Sequence, residues 1–450
     1  MKITKFKASK VYDYLEFDIN FDANLTFLTG VNGSGKSTII KLIQALLTPS
    51  LSDLLSIPFS DVSLSYTDGG QEVLVKALKE NENLELIVSN NERKMKIQMK
   101  STDEYKFISA RSMGEEEIFE YFNRKYADHD VFKFLTNVNP PMILGLDRTH
   151  KDILNEPEEY YVERNYLKKT PVNYRFRKIF KGSLAAGLFE TQDLIQDAYR
   201  RLRREEDKYW EELRESILVS SFNYAKFNVD EDFKGQVPLW TEKNDLKRRK
   251  GEIQAALTNI GVSSERTETV LEEFFSQLNN LFDNLRVGKD QPGFNIEWII
   301  NKAQIERLSG LIKVIDDHKA KIDVLYKPIT RFLETINSFY LDTKKKLEID
   351  TVGHLIIIRA DGSFAEIEAL SSGERQLLII FAHLSLNEYA KKSNVFIIDE
   401  PELSLHLRWQ ERFVDTAINV NSSNQLILAT HSPEIIAGFE QKAIDVGKNA

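Results

Sequence analysis

The spacing of apolar residues changes character twice along the chain. Residues 3–9 and 15–21 alternate apolar with polar positions and 25–29 is an unbroken apolar run, so the chain opens on three predicted strands. The period lengthens to that of a helix over 39–47. Short alternating runs follow at 62–66, 72–78, 84–89 and 95–99, punctuated by Asp68-Gly69-Gly70 and Asn90-Asn91, and read as an antiparallel sheet beside the core. Residues 115–136 predict a helix. The run 142–148, introduced by Pro140-Pro141, predicts a strand leaving this first lobe.

After about residue 150 the pattern is helical. Ile195, Tyr199, Leu202, Tyr209, Leu213 and Ile217 stand among dense charges over 191–221, the signature of a solvated amphipathic helix. A second stripe runs through Val270, Phe274, Leu278, Leu281 and Leu285. The longest includes Ile305, Leu308, Ile312, Ile315, Ile322, Tyr326, Ile329, Leu333, Ile336 and Tyr340, with Lys319 on the seam and Pro328 expected to kink it. Its three-four spacing is heptad-like, which suits either helices packed in a compact insert or a short coiled coil. Strand character then returns at 347–350, 355–359 and 364–367, with Asp361-Gly362 as a hairpin turn.

Composition narrows the classes. A chain of 450 residues implies two or three domains, and 42% hydrophobic with 29% charged residues is that of a folded globular protein. With no cysteine, disulfides and cysteine-based zinc sites are excluded. The net charge of −9 offers nucleic acid no global attraction, so any DNA contact must come from a local patch. No apolar run reaches the length needed to span a bilayer, and Met1-Lys2-Ile3-Thr4-Lys5 starts a strand, so no membrane partner and a cytoplasmic location are expected.

Candidate chemistry sits where the patterns change. Gly30, Val31, Asn32, Gly33, Ser34, Gly35, Lys36, Ser37 and Thr38 fit G-x-x-x-x-G-K-[ST] between a predicted strand and a predicted helix. Backbone N–H groups of such a loop wrap phosphate oxygens and the helix N-terminus adds its positive end. Lys36 would reach the β and γ phosphates of ATP and Ser37 would ligate Mg²⁺. A second loop, Leu370-Ser371-Ser372-Gly373-Glu374-Arg375-Gln376, opens an apolar helix; alone it reads equally as an N-cap. The run 395–398 ends in Asp399 and Glu400, suited respectively to supporting Mg²⁺ and to polarising a water. Another apolar run, 426–429, ends in Thr430-His431.

These four motifs, in this order, resemble the Walker A, signature, Walker B and switch histidine of an ABC-type ATPase head, and the long helical insertion resembles the SMC and RecF group. The resemblance implies an α/β P-loop fold: lobe I over 1–150, a helical insertion over 151–345, lobe II over 346–450. It implies ATP and Mg²⁺ as cofactors and a head-to-head homodimer. Ser371 and Gly373 would contact the γ-phosphate held by the other protomer, His431 would sense it, Glu400 would act as base, and residues 401–406 would cross the interface. No clear linking glutamine is present; Gln98 is a candidate by order alone.

Two functions fit that head. One is an antiviral defence ATPase that regulates a separate effector such as a nuclease, which Asp147-Arg148 and residues 371–376 resemble more closely. The other is a repair ATPase resembling RecF or RecN that clamps DNA. Arg164, Lys168, Lys169, Arg175, Arg177, Lys178 and Lys181, interleaved with Tyr166, Tyr174, Phe176 and Phe180, would suit nucleic acid or an acidic partner, and equally a solvated surface.

Overall fold

Alternation in the first hundred residues builds strands, as the pattern predicts. The chain forms β1 (Lys2–Val11), β2 (Leu15–Asn20), β3 (Leu25–Thr29), α1 (Lys36–Leu47), α2 (Leu51–Ser56), β4 (Asp61–Asp68), β5 (Gln71–Glu80), β6 (Asn83–Asn90) and β7 (Lys94–Lys100). Six of these make an antiparallel sheet in the order β2-β1-β4-β5-β6-β7. A register shift between Ile3 and Lys5 brings Ile3 and Phe6 onto one buried face in spite of their odd spacing. Gly69 and Gly70, with φ of 55° and 83°, supply the left-handed pair that a tight hairpin needs.

The structure is a computed structural model that describes residues 1–48, 51–80, 83–90, 94–100, 125–126, 128–145, 184–221, 250–259, 264–287, 296–420 and 422–449. Within these, α3 (Asp130–Asn137) and β8 (Met142–Gly145) complete the first segment. Most of the helix expected over 115–136 and the residues Asp147-Arg148 lie outside them, as does the basic stretch 164–181.

Helices follow: α4 (Leu184–Ser221), α5 (Lys250–Asn259), α6 (Ser264–Val287) and α7 (Ile296–Tyr340). One continuous helix carries the longest stripe through Pro328. The missing N–H at 328 leaves the carbonyl of residue 324 without its helical donor, at a residue that is 70% exposed. Then come β9 (Lys346–Ile349), β10 (Leu355–Ile358), β11 (Phe364–Ala365), α8 (Ser372–Leu386), α9 (Glu388–Ser393), β12 (Val395–Asp399), α10 (Leu407–Val420), β13 (Gln425–Ala429), α11 (Pro433–Ile436) and β14 (Ala443–Asp445).

The second main sheet is parallel, in the order β14-β3-β13-β12-β8, so strands far apart in sequence lie side by side. Its inner strands are buried on both faces, which is why they read as unbroken apolar runs. The chain divides into two compact units, Met1–Asp197 with Ile329–Ala450, and Ala198–Pro328. The first holds both large sheets. The second is helical, with Ile253, Ala256, Leu271, Phe275, Ile312 and Ile315 in one apolar cluster and Trp210 against His318, ring centroids 4.2 Å apart.

Candidate active site

Parallel pairing brings three of the four motifs to one edge. Asp399 at the end of β12 lies in register with Ala429 at the end of β13, and Ala429 with Leu28 near the end of β3. The loops after these strands therefore emerge together at the carboxyl ends, where open α/β sheets bind ligands.

The loop after β3 turns through Gly30, Gly33 and Gly35, all at positive φ. Gly35 is required twice over: its φ is 96°, and a Cβ there would lie 2.6 Å from Phe17 Cζ on β2. It also begins α1 without a side-chain cap, and no acid stands in the first turn, so the N–H groups there face an anion without a competing carboxylate. Val31, Asn32, Gly33 and Ser37 are exposed on this loop, Thr38 is half-buried, and Ser34 is buried with no hydrogen-bond partner for its hydroxyl among the described residues. Lys36 is only 5% exposed and folds back, donating to the carbonyls of Gly30 at 3.0 Å and Val31 at 3.3 Å. Burial lowers its pKa, opposed by the carboxylates of Asp399, Glu400 and Glu402.

Ser37 donates to Asp399 Oδ2 at 2.9 Å across 362 residues of sequence, joining the Walker A and Walker B motifs directly. Asp399 Oδ1 is buried and unpartnered among the described residues. Burial raises the pKa of this carboxyl, Glu400 and Glu402 push it the same way, and the Ser37 hydroxyl and Lys36 oppose them. A hydroxyl and a carboxylate, hard oxygen donors already touching, fit the inner and outer ligand positions of Mg²⁺. No group of three or more His, Asp or Glu among the described residues is arranged to hold a metal ion.

Glu400 stands in the left-handed region, φ 51°, with its N–H on the Ala429 carbonyl at 2.8 Å. The strain of a non-glycine residue there, about 1 kcal/mol or more, turns the chain sharply out of β12. Glu402 Oε1 accepts from the His431 N–H at 2.7 Å, tying the loop after β12 to the loop after β13. His431 is exposed; Ser432 beside it caps α11 by accepting from the Ile435 N–H at 3.3 Å.

Ser371 and Gly373 are built into the start of α8, and Gly373 packs on the loop after β12. Ser371 is the N-cap of a complete capping box with Glu374: its Oγ accepts from the Glu374 N–H at 3.4 Å, and its N–H donates to Glu374 Oε2 at 2.7 Å. A Cβ on Gly373 would lie 2.4 Å from the Ser404 carbonyl oxygen, so only glycine lets α8 approach that loop. Gln376 Nε2 donates to the Pro401 carbonyl at 3.0 Å. Glu374, fully buried, also takes Lys345 at 2.8 Å and the Thr343 hydroxyl at 2.8 Å. Burial pushes its carboxyl up, but these donors outweigh it and hold the pKa below the ordinary range. Gln98 lies on β7, paired with Glu85.

Glu402, Glu374 and Lys345 escaped the sequence reading. The spacing Glu400-Pro401-Glu402 was the available signal for the first, since an acid two positions past a candidate base returns to the same loop. Nothing in the sequence marks Lys345.

Residues 1–436 match the family described as AAA ATPase domain. "Retron Vc95 probable ATPase" of Vibrio cholerae serotype O1 biovar El Tor is 24% identical over 194 residues, 39% of this chain and 38% of that protein, so the match spans well under half the relative's length. Among solved structures the chain is similar to the Smc head domain of Pyrococcus furiosus bound to the C-terminal domain of ScpA, with 14% identity, 97% of this chain and 91% of that chain covered, and a TM-score of 0.38. It is similar also to the SMC head domain from Thermotoga maritima, with 12% identity, coverage of 98% and 92%, and a TM-score of 0.36.

Proposed function

The chain belongs to the AAA ATPase domain family, and on that premise we propose that it binds ATP with Mg²⁺ on residues 30–38, hydrolyses it between two head-to-head protomers, and uses that dimer to regulate a separate effector. The observation that carries the reading is the meeting of Lys36, the Ser37–Asp399 hydrogen bond, Glu400 and the His431 loop at the carboxyl edge of one parallel sheet.

On this reading Lys36 exchanges two of its own loop carbonyls for the β and γ phosphates, and the uncapped start of α1 donates to the remaining oxygens. Ser37 and Asp399 hold Mg²⁺, which when bound offsets phosphate charge as it redistributes in the transition state. Glu400, aimed by its left-handed turn, takes a proton from the attacking water. Ser371 and Gly373 of the second protomer close the phosphate cage and His431 senses the γ-phosphate, so ATP bridges the heads and hydrolysis releases them. The lobes are 1–150 and 346–450, and the helices inserted over 151–345 serve as the docking surface.

The resemblance to a retron ATPase favours the defence reading over DNA repair; a separate nuclease as effector is part of that proposal. No helix among the described residues is long and apolar enough to cross a membrane. The test mixes two inactive variants. Lys36→Ala and Ser371→Arg protomers together form one face with both halves intact, and partial recovery of ATPase activity is expected. Full hydrolysis by a monomer, or by either variant alone, would overturn the shared site. Co-purification with neighbouring gene products then separates an effector protein from DNA.

A further inference from the structure

Hydrolysis in this site needs a water held in line with the γ-phosphate, and Glu400 alone supplies one acceptor for it. Two residues on, Glu402 reaches across to the His431 loop. Its Oε1 accepts from the His431 N–H at 2.7 Å, while its Oε2 is buried and has no hydrogen-bond partner among the described residues. A strut to the His431 loop would need one oxygen only. Leaving the second buried without a donor costs about 1–3 kcal/mol, and more for a charged group, and such orphans in native folds call for a donor that arrives later.

The loop that carries Glu402 is held at several points. Glu400 N–H bonds the Ala429 carbonyl, Gln376 bonds the Pro401 carbonyl, and Gly373 lets α8 press on Ser404, itself left-handed at φ 60°. The orphan oxygen is therefore fixed in place. The Oε1 bond to the His431 N–H keeps this side chain at the carboxyl edge of the sheet, where the strands ending in Asp399 and Ala429 lie in register.

Building on the proposed ATPase reading, we infer that Glu402 is a second carboxylate of the hydrolytic site, one oxygen holding the His431 loop and the other accepting a hydrogen bond from the attacking water. The bond from water oxygen to the γ-phosphorus forms as the bond from that phosphorus to the β–γ bridging oxygen breaks. ADP keeps the electron pair, and the water's proton passes to Glu400. Glu402 accepts the water's second hydrogen bond and orients it.

Glu402→Gln separates the two oxygens. Its amide oxygen still accepts from His431, but the amide nitrogen puts a donor where the water needs an acceptor. With ATP affinity by calorimetry and steady-state kinetics on the full chain, kcat should fall about tenfold or more while KM and ATP affinity stay within about twofold. Glu402→Ala should lose kcat at least as far. A glutamine variant that restores the wild-type kcat where alanine does not makes Glu402 a strut and overturns the inference. Glu400→Gln and Lys36→Ala run alongside: if they too hydrolyse at the wild-type rate the proposed function fails with it, whereas full activity in Glu402→Gln alone sinks only this assignment.

Discussion

Two helices in the same unit begin on glycine- and serine-containing loops, and they treat their unpaired N–H groups in opposite ways. At α1 the N-cap is Gly35, no side chain caps the first turn, and no acid precedes or enters it. At α8 the capping box of Ser371 and Glu374 closes the helix start, and Lys345, Thr343 and the Tyr340 hydroxyl, which donates to the Glu374 carbonyl at 2.9 Å, lock it further. A helix start left open binds an anion; one satisfied by its own side chains is a fixed part. On the proposed function the first is where nucleotide would enter, and the second is a preset surface. Ser371 can keep the Glu374 N–H on its oxygen while its own O–H is free to donate to a phosphate on another protomer.

Lys36→Ala tests the open end most severely. Two charge-assisted hydrogen bonds at about 1.5–3 kcal/mol each are lost, so ATP affinity should fall by about 10³; calorimetry showing unchanged affinity would make the loop structural. At the closed end, Glu374→Ala should cost about 3 kcal/mol of stability, the penalty for breaking a buried ion pair, read in denaturant melts, while isolated ATP binding at residues 30–38 holds. Equal loss of both would erase the distinction between the two helix starts.

The chemistry belongs with the open end, so Glu400→Gln should lower hydrolysis by about 10² while ATP still binds and dimers accumulate, visible by light scattering with ATP. Ser371→Ala removes one cap and should cost about 1 kcal/mol; a larger loss of activity than of stability would show the hydroxyl acting on phosphate. The pH dependence of the closed end follows from Glu374. Its carboxyl is held below the ordinary range in the fold, so the stabilisation is complete above the unfolded pKa and disappears as pH falls through the lower folded value. Melts of wild type and Glu374→Gln should therefore converge in acid.

Much of the site could be read from local sequence because its parts are local devices. The glycine loop between strand and helix, the acid pair ending an apolar run, and the histidine ending another each declare a strand end at the carboxyl side. The hairpins at Gly69-Gly70 and Gly362 were legible for the same reason: positive φ has few takers. Gly373 was legible as a motif residue, but its steric reason, the carbonyl of Ser404, was not.

By itself the sequence determined the periodicities, the turn positions and the chemical inventory of each loop, since backbone sterics and alternation act over a few residues. Only the tertiary structure decided that β3 pairs with β13 and β14, that Ser37 meets Asp399, that Glu402 holds the His431 backbone, and that Lys345 neutralises a buried Glu374. Those contacts join residues up to several hundred positions apart, and a parallel sheet sets them by register and burial, neither of which leaves a local mark on the residues it brings together.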